Sequence, residues 1–366
     1  MPIQKLKRLL NPLKRQIQVS APIGAVLMYH RVTELESDPW ALSVSPKNFA
    51  EHLEVLKQHC LVVPVEELSQ AQQQKQLSDA TVAITFDDGY VDNLFNAKPL
   101  LERAELPATV YIASGCIGRQ REFWWDELEK ALLLPDQLPQ RLTLTAKGQT
   151  RSWELGSAAH YSMADRQRDR GSDPWLADPT TRLGFYFSVW QFLWSLPVAE
   201  QERLCDEVMA WAGVDPRVRE SHRTLTIEEL HQLDRGDFVK VGAHTVNHAF
   251  LPDHAIAVQQ MEIQQSKRSI EAWLDRPITT FSYPYGGFTP QTLGVIEQAG
   301  FSCACSTVQE VVWWGSDRFQ LPRFEVRNWD GATFEQRLLA WLSRDSWLRK
   351  SPPRTRRFSA ETAISA

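Results

Sequence analysis

Two short stretches carry residue types that can do chemistry together. Ile84-Thr85-Phe86-Asp87-Asp88-Gly89-Tyr90 ends an apolar run with adjacent carboxylates and a glycine. Val241-Gly242-Ala243-His244-Thr245-Val246-Asn247-His248 ends another with two histidines four residues apart. Neutral imidazoles and a carboxylate, with a position left open for water, are what a hydrolytic divalent ion requires. Residues at i and i+4 project from one side of a helical turn, within reach of one ion. Thr245 stands where the zincin motif has Glu, so that class is excluded. Adjacent aspartates at a strand end point in different directions, so one can ligate the metal while the other takes a proton from its water. A suitable ion lowers the pKa of that water from about 16 to about 7, equivalent to roughly 12 kcal/mol of stabilised hydroxide. Alone, a histidine pair at this spacing is weak evidence for a metal, and Asp-Asp-Gly reads better as a solvated turn. Together, each after a buried strand, they read as a two-His, one-carboxylate site with a spare aspartate. The metal would also polarise a substrate carbonyl, and a backbone N–H from the Pro284-Tyr285-Gly286 turn can hold the resulting oxyanion.

The elements that must position these residues follow from hydrophobic period and punctuation. Apolar runs at 24–30, 81–86, 108–113, 238–243, 279–283, 301–306 and 321–326 suit buried strands. Helical patterns lie between them: Ser45-Pro46 opens one to about His59, and Thr226-Ile-Glu-Glu229 is a capping box. Further helices are expected over Asn93–Arg103, Ala255–Leu274 (Ile256, Ile263 and Ile270 spaced by seven), Pro290–Ala299 and Thr333–Trp347. Such alternation predicts an α/β fold with a mainly parallel sheet, whose ligand sites lie at the C-terminal strand ends, where both motifs fall. From 119 to 225 the alternation lapses into a mostly helical insertion: a helix over Glu122–Leu134, a hairpin over Arg141–Leu155 with a Lys-Gly turn, a polar loop over Ala164–Asp178, then two amphipathic helices. A catalytic domain is therefore expected over 21–348, flanked by a basic amphipathic segment at 1–20 and a disordered tail at 349–366.

Composition narrows the classes. The 366 residues carry a net charge of −5, which gives no global attraction for nucleic acid or anionic lipid. Five cysteines without a C-x-x-C pattern do not form a disulfide framework, and Cys303 and Cys305 read as reduced core residues. No run is long enough to span a membrane, and residues 1–20 lack the apolar core of a signal peptide. The expected location is cytoplasmic, with peripheral contact at the inner membrane face through the N-terminal segment as the alternative to a frayed, solvated helix there.

Thr-Phe-Asp-Asp-Gly, His-Thr-x-x-His and the Tyr-Pro-Tyr-Gly turn, in this order, resemble the polysaccharide deacetylases of the NodB-homology type, carbohydrate esterase family four. The resemblance covers residues 24–115 and 226–330. It implies a distorted, incomplete (β/α) barrel and metal-dependent removal of N-acetyl groups from amino sugars. Carried over to this sequence, it makes Asp87 the general base, Asp88, His244 and His248 the ligands of a divalent ion, usually zinc, and Tyr285 the oxyanion N–H donor. Two family features are missing. Tyr283 precedes Pro284 where an arginine that pairs with the base is often found nearby. The late strand reads Leu321-Pro322-Arg323-Phe324 where most members have Leu-x-His, and no histidine follows His254. Arg323 is the candidate to replace the arginine, against a surface role. His30, ending the first strand, is the candidate general acid, against a core role. Tyr283, Pro284 and Trp125 are candidate substrate contacts, although packing competes strongly for Trp124 and Trp125. The expected substrate is an N-acetylated glycan or lipid-linked sugar of exopolysaccharide biosynthesis. A sugar esterase or deformylase, and a silent carbohydrate-binding protein, are the competing readings. An intact base beside the metal ligands argues against the last.

Overall fold

The computed structural model describes residues 21–194 and 196–343, so the expectations for the N-terminal segment, the tail and the end of the last helix lie outside it. Its centre is a parallel sheet of eight strands: β1 (Gly24–Tyr29), β2 (Leu61–Val62), β3 (Thr81–Phe86), β4 (Ala108–Ile112), β7 (Val239–Ala243), β8 (Thr280–Ser282), β9 (Cys303–Cys305) and β10 (Phe324–Glu325). The order is β9-β8-β7-β4-β3-β1-β10, with β2 beside the start of β3. Strands β1 and β3 are buried at every residue, as parallel strands covered on both faces must be. They pair along their full length, from Gly24 opposite Thr81 to Tyr29 opposite Phe86.

The two end strands are stitched towards each other. Ser306 N–H donates to the Leu321 carbonyl (2.8 Å) and Leu321 N–H to that of Ala304 (2.9 Å), while Val326 N–H reaches Met28 O (3.0 Å). The chain from Leu321 to Val326 therefore bridges β9 to β1, and the sheet curls into the incomplete (β/α) barrel of the NodB type. Helices α1 (Pro46–His59), α2 (Val65–Gln73), α3 (Lys98–Ala104), α8 (Ile227–Asp234), α9 (Ile256–Leu274), α10 (Pro290–Gln298) and α11 (Gly331–Leu342) alternate with the sheet strands. The start signals act as their residue types dictate: Ser45 accepts from Asn48 N–H, and Thr226 and Glu229 form the reciprocal box. On α9, Ile263 and Ile270 are buried but Ile256, in the first turn, is exposed. A period of seven drifts on a straight helix of 3.6 residues per turn.

Between β4 and β7 the chain builds α4 (Trp124–Leu133), the hairpin β5–β6 (Arg141–Ala146 and Gln149–Glu154), α5 (Met163–Asp169), α6 (Arg182–Trp194) and α7 (Val198–Ala212). This part has an apolar cluster of its own, including Trp124, Leu132, Tyr186, Trp190 and Val208. Lys147 and Gly148 both take positive φ in the hairpin turn, the conformation that such tight turns demand. One expectation is corrected: the polar stretch from 164 holds the short helix α5, capped by Ser162 and Asp165. All five cysteines are free.

Candidate active site

The first motif lies where β3 ends. Phe86 is the last strand residue, and Asp88 and Gly89 both turn into positive φ, 77° and 79°. That region is strained for an aspartate and normal for glycine. A Cβ on Gly89 would also stand 2.7 Å from Ile112 Cγ2. The turn lets consecutive carboxylates face different partners, as the sequence suggested.

Asp87 faces Arg323. The guanidinium donates from both terminal nitrogens, Nη1 to Oδ1 (2.8 Å) and Nη2 to Oδ2 (2.7 Å). Its remaining donors reach the Ser306 carbonyl (2.9 Å), Thr85 Oγ1 (3.2 Å) and Ser282 Oγ (2.8 Å). Arg323 is fully buried, so the surface alternative is excluded. Burial pushes the Asp87 carboxyl up, but Arg323, with His244 and His30, outweighs it and holds the group well below the usual carboxylate range. Asp87 is an ionised base in a fixed orientation.

Asp88, His244 and His248 converge, with one potential ligand atom from each lying within 4.8 Å of the others. His244 follows β7, and its Nδ1–H donates to the Ser282 carbonyl at 2.7 Å. That bond assigns the tautomer and leaves the Nε2 lone pair facing Asp88 Oδ1 at 3.7 Å. Burial pushes the His244 imidazole down to about 4, against the pull of Asp87 and Asp88, so it is neutral at pH 7. A neutral lone pair aimed at a carboxylate oxygen is unfavourable unless a cation lies between them. His248 Nε2 is 3.2 Å from the same oxygen. Asp88 Oδ1 and His248 Nδ1 are buried without a hydrogen-bond partner. The donor set fits a divalent ion, with N and O ligands of the kind zinc accepts.

Aromatic rings surround His248. Tyr285 lies 4.5 Å away and Trp125 4.8 Å, between centroids. Trp125 is buried, stacks on Phe123 at 4.4 Å and donates to Tyr90 Oη at 3.0 Å, so it backs His248 rather than offering an open face. Tyr285 has φ 55°, and its turn is closed by Gly286 N–H to Tyr283 O (2.8 Å). His30, half-buried after β1, is near enough for its charge to act on both aspartates. Tyr283 is the correction: its side chain is fully buried in the barrel core and its hydroxyl donates to Phe319 O (2.9 Å), away from any surface a substrate can touch. Pro284 is buried at the start of the turn and shapes it.

Two supporting residues had no place in the motif reading. Ser282 orients both His244 and Arg323. Glu262, buried on α9, accepts from Val246 N–H (2.9 Å), Asn247 N–H (2.9 Å) and Asn247 Nδ2 (2.7 Å). It holds the turn between the histidines, in which Thr245 and His248 take φ of 65° and 55°. The only hint of this in the sequence was an acid next to Ile263 on the inner side of α9.

A curled parallel sheet with a carboxylate and two imidazoles converging at its C-terminal strand ends is an α/β architecture with a candidate metal centre. The polysaccharide deacetylase profile matches residues 74–139 and 220–304, which contain both motifs and leave out 140–219. Over these two blocks, which together make up less than half of the chain, the protein is similar to the polysaccharide deacetylases. YxkH of Bacillus subtilis (strain 168), named for the same family, is 31% identical over 107 residues, 29% of this chain. The match spans 37% of that relative's length. Among solved structures, IcaB from Ammonifex degensii aligns with a TM-score of 0.54 and 16% identity over 88% of this chain and 97% of its own. The Streptococcus pyogenes deacetylase PplD, in complex with acetate, aligns at 0.50 and 17% over 87% and 98%. These likenesses establish a shared fold.

Proposed function

We propose that the protein is a metal-dependent deacetylase that removes N-acetyl groups from amino-sugar residues of a glycan or glycan precursor. The observation that carries this reading is Asp87, ionised and clamped by Arg323, next to an Asp88–His244–His248 cluster in which Asp88 Oδ1 and His248 Nδ1 are buried without a hydrogen-bond partner. Asp88, His244 and His248 would hold the ion, zinc by the chemistry of the set. Bound there, it would supply Lewis acidity to the amide carbonyl and acidity to water.

The rest falls to the chain's own groups. Asp87 accepts the proton of the attacking water, and Arg323 is a positioning residue that keeps both carboxylate oxygens fixed while it does so. The Tyr285 backbone N–H stabilises the developing oxyanion, and the positive φ at Tyr285 sets its direction. His30 delivers a proton to the departing amine, in place of the late histidine the chain lacks. Trp125 and Phe123 hold the His248 ring from behind. The match of both motif-bearing blocks to the polysaccharide deacetylase profile and the fold shared with the deacetylase PplD support the same chemistry.

The test is acetate release from N-acetylglucosamine oligomers by metal-stripped protein, with and without zinc, beside Asp87→Asn. Zinc-restored release abolished in the variant is expected. Zinc binding without release by the wild type would move the reading to another acyl group or to a binding role. No zinc binding would refute the site.

A further inference from the structure

The insertion and the barrel form an open cleft that reaches His248 and Tyr285. One wall runs from the end of α6 to the start of α7: Trp194, Leu196 and Val198. The other wall includes Phe250, from the segment after the second motif. Trp194 is half-buried, with its ring 4.2 Å from that of Tyr285 and 5.4 Å from that of Phe250. The rim is polar, carrying Lys147 from the hairpin turn and Asp253 and His254 from the barrel.

We propose that this cleft is a saccharide subsite built by the insertion, which takes the glycan residue next to the one being deacetylated. The inference rests on the deacetylase reading and adds to it that the native substrate is at least a disaccharide, selected by a part of the chain outside the family-matched blocks. Three observations carry it. The cleft shares His248 and Tyr285 with the site, so a glycan whose amide reaches the metal ligands has its neighbouring residue directed here. Flat aromatic and aliphatic walls match the C–H face of a pyranose, and rim groups of both charges match hydroxyls rather than a strongly charged ligand. Trp194, Leu196 and Val198 lie within 140–219, so this wall belongs to the chain's own insertion.

The test compares N-acetylglucosamine with its tetramer. The wild type should favour the tetramer by about tenfold or more in kcat/KM, a factor equal to 1.4 kcal/mol. Trp194→Ala should cut that ratio roughly tenfold. Because Trp194 also packs on Tyr285, Val198→Trp, which fills the cleft from a half-buried position at the start of α7, should cut it independently. A wild-type ratio near one, or a ratio that neither variant changes, overturns the subsite while acetate release still upholds the deacetylase. If the wild type releases no acetate, tetramer binding to zinc-loaded Asp87→Asn protein decides the matter by calorimetry. Affinity lost on adding Val198→Trp upholds the subsite, and affinity equal for monomer and tetramer overturns it.

Discussion

Replacing Arg323 by alanine is the most informative perturbation, because its size follows from the geometry. The substitution removes both strong donors to Asp87 and leaves that carboxylate buried with Ser282 Oγ, 3.4 Å away, as its remaining contact of this kind. Breaking a buried ion pair from one side costs about 3–5 kcal/mol, because a charge is left without compensation. An unfolding entropy of about 2.1 cal/mol/K per residue gives a chain of 366 residues roughly 0.8 kcal/mol/K, so Tm should fall by about 4–7 °C. The sign of the pH dependence is fixed as well. In the wild type the folded Asp87 pKa lies below its unfolded value. Its stabilisation is therefore fully present above about pH 4 and is lost as pH falls through the folded value. In the variant, burial acts without opposition from Arg323 and the folded pKa rises. The deficit relative to wild type is then full at pH 7 and shrinks towards pH 4 as the carboxyl protonates. Thermal unfolding in EDTA at pH 7 and pH 4.5 reads both effects without interference from bound metal. The double variant Asp87→Asn with Arg323→Met should recover at least half of the loss. A Tm within 1 °C of wild type, or no recovery in the double variant, would refute the ion-pair argument. Arg323→Lys keeps the charge but loses the planar fork, so its kcat should lie between wild type and the alanine variant, which is expected to lose about a hundredfold from a misplaced base.

Three further outcomes are expected. Glu262→Ala frees the turn that carries His248, so zinc affinity should fall about 10–100-fold in a chelator-competition titration, with Tm in EDTA changing far less than the Arg323→Ala value. Zinc at a hundred times its dissociation constant should stabilise the protein by about 2.7 kcal/mol, and His248→Ala should abolish the shift; an equal shift in that variant would place the ion elsewhere. Burial, with Glu122 and Glu129 nearby, pushes the Asp126 carboxyl up to about 8, although Arg31 and the Tyr90 hydroxyl pull it down. The native state thus keeps a proton that the unfolded chain releases above about pH 4, so the contribution of Asp126 to stability declines between pH 5 and 8 and levels off beyond. In urea unfolding Asp126→Asn should therefore gain stability over the wild type progressively from pH 5 to 8, and a difference between the two proteins that does not change with pH would refute the assignment.

The parts of this molecule that could be read from the sequence are those in which one residue type has one physical use. Buried apolar runs ended by Asp-Asp-Gly or His-x-x-x-His have few alternative structures, and strands β3 and β7 deliver those residues to one place. Arg323 was a candidate because the late strand Leu321–Phe324 departs from the family pattern there and the usual arginine is missing, but its burial against Asp87 was not legible in the sequence. Tyr283 was misjudged because sequence adjacency to Pro284 and Tyr285 says nothing about direction. The chain reverses at that turn, and the Tyr283 ring falls on the core side. Helix α5 was missed because its residues are polar and its cap is Ser162–Asp165, outside the Ser/Thr-x-x-Glu/Gln form of the signal. Glu262 and Ser282 were not legible at all. Glutamate is most often solvated on a helix, and only the packing of α9 against the His244–His248 turn shows that this one faces inward.

The Asp87–Arg323 pair also bears on why the site takes this form. A buried ion pair is weak evidence for stability, since apolar residues of similar volume often pack as well or better. Its retention here is better explained by what it does to Asp87. Burial alone would raise the carboxyl towards neutrality, and a protonated Asp87 can accept nothing from water. Arg323 keeps it ionised across the working range while fixing both oxygens. A carboxylate so strongly stabilised is a weak base in isolation, and only an acidified water can lose a proton to it. In the proposed mechanism, the geometry that orients Asp87 therefore makes proton transfer conditional on an ion held by Asp88, His244 and His248.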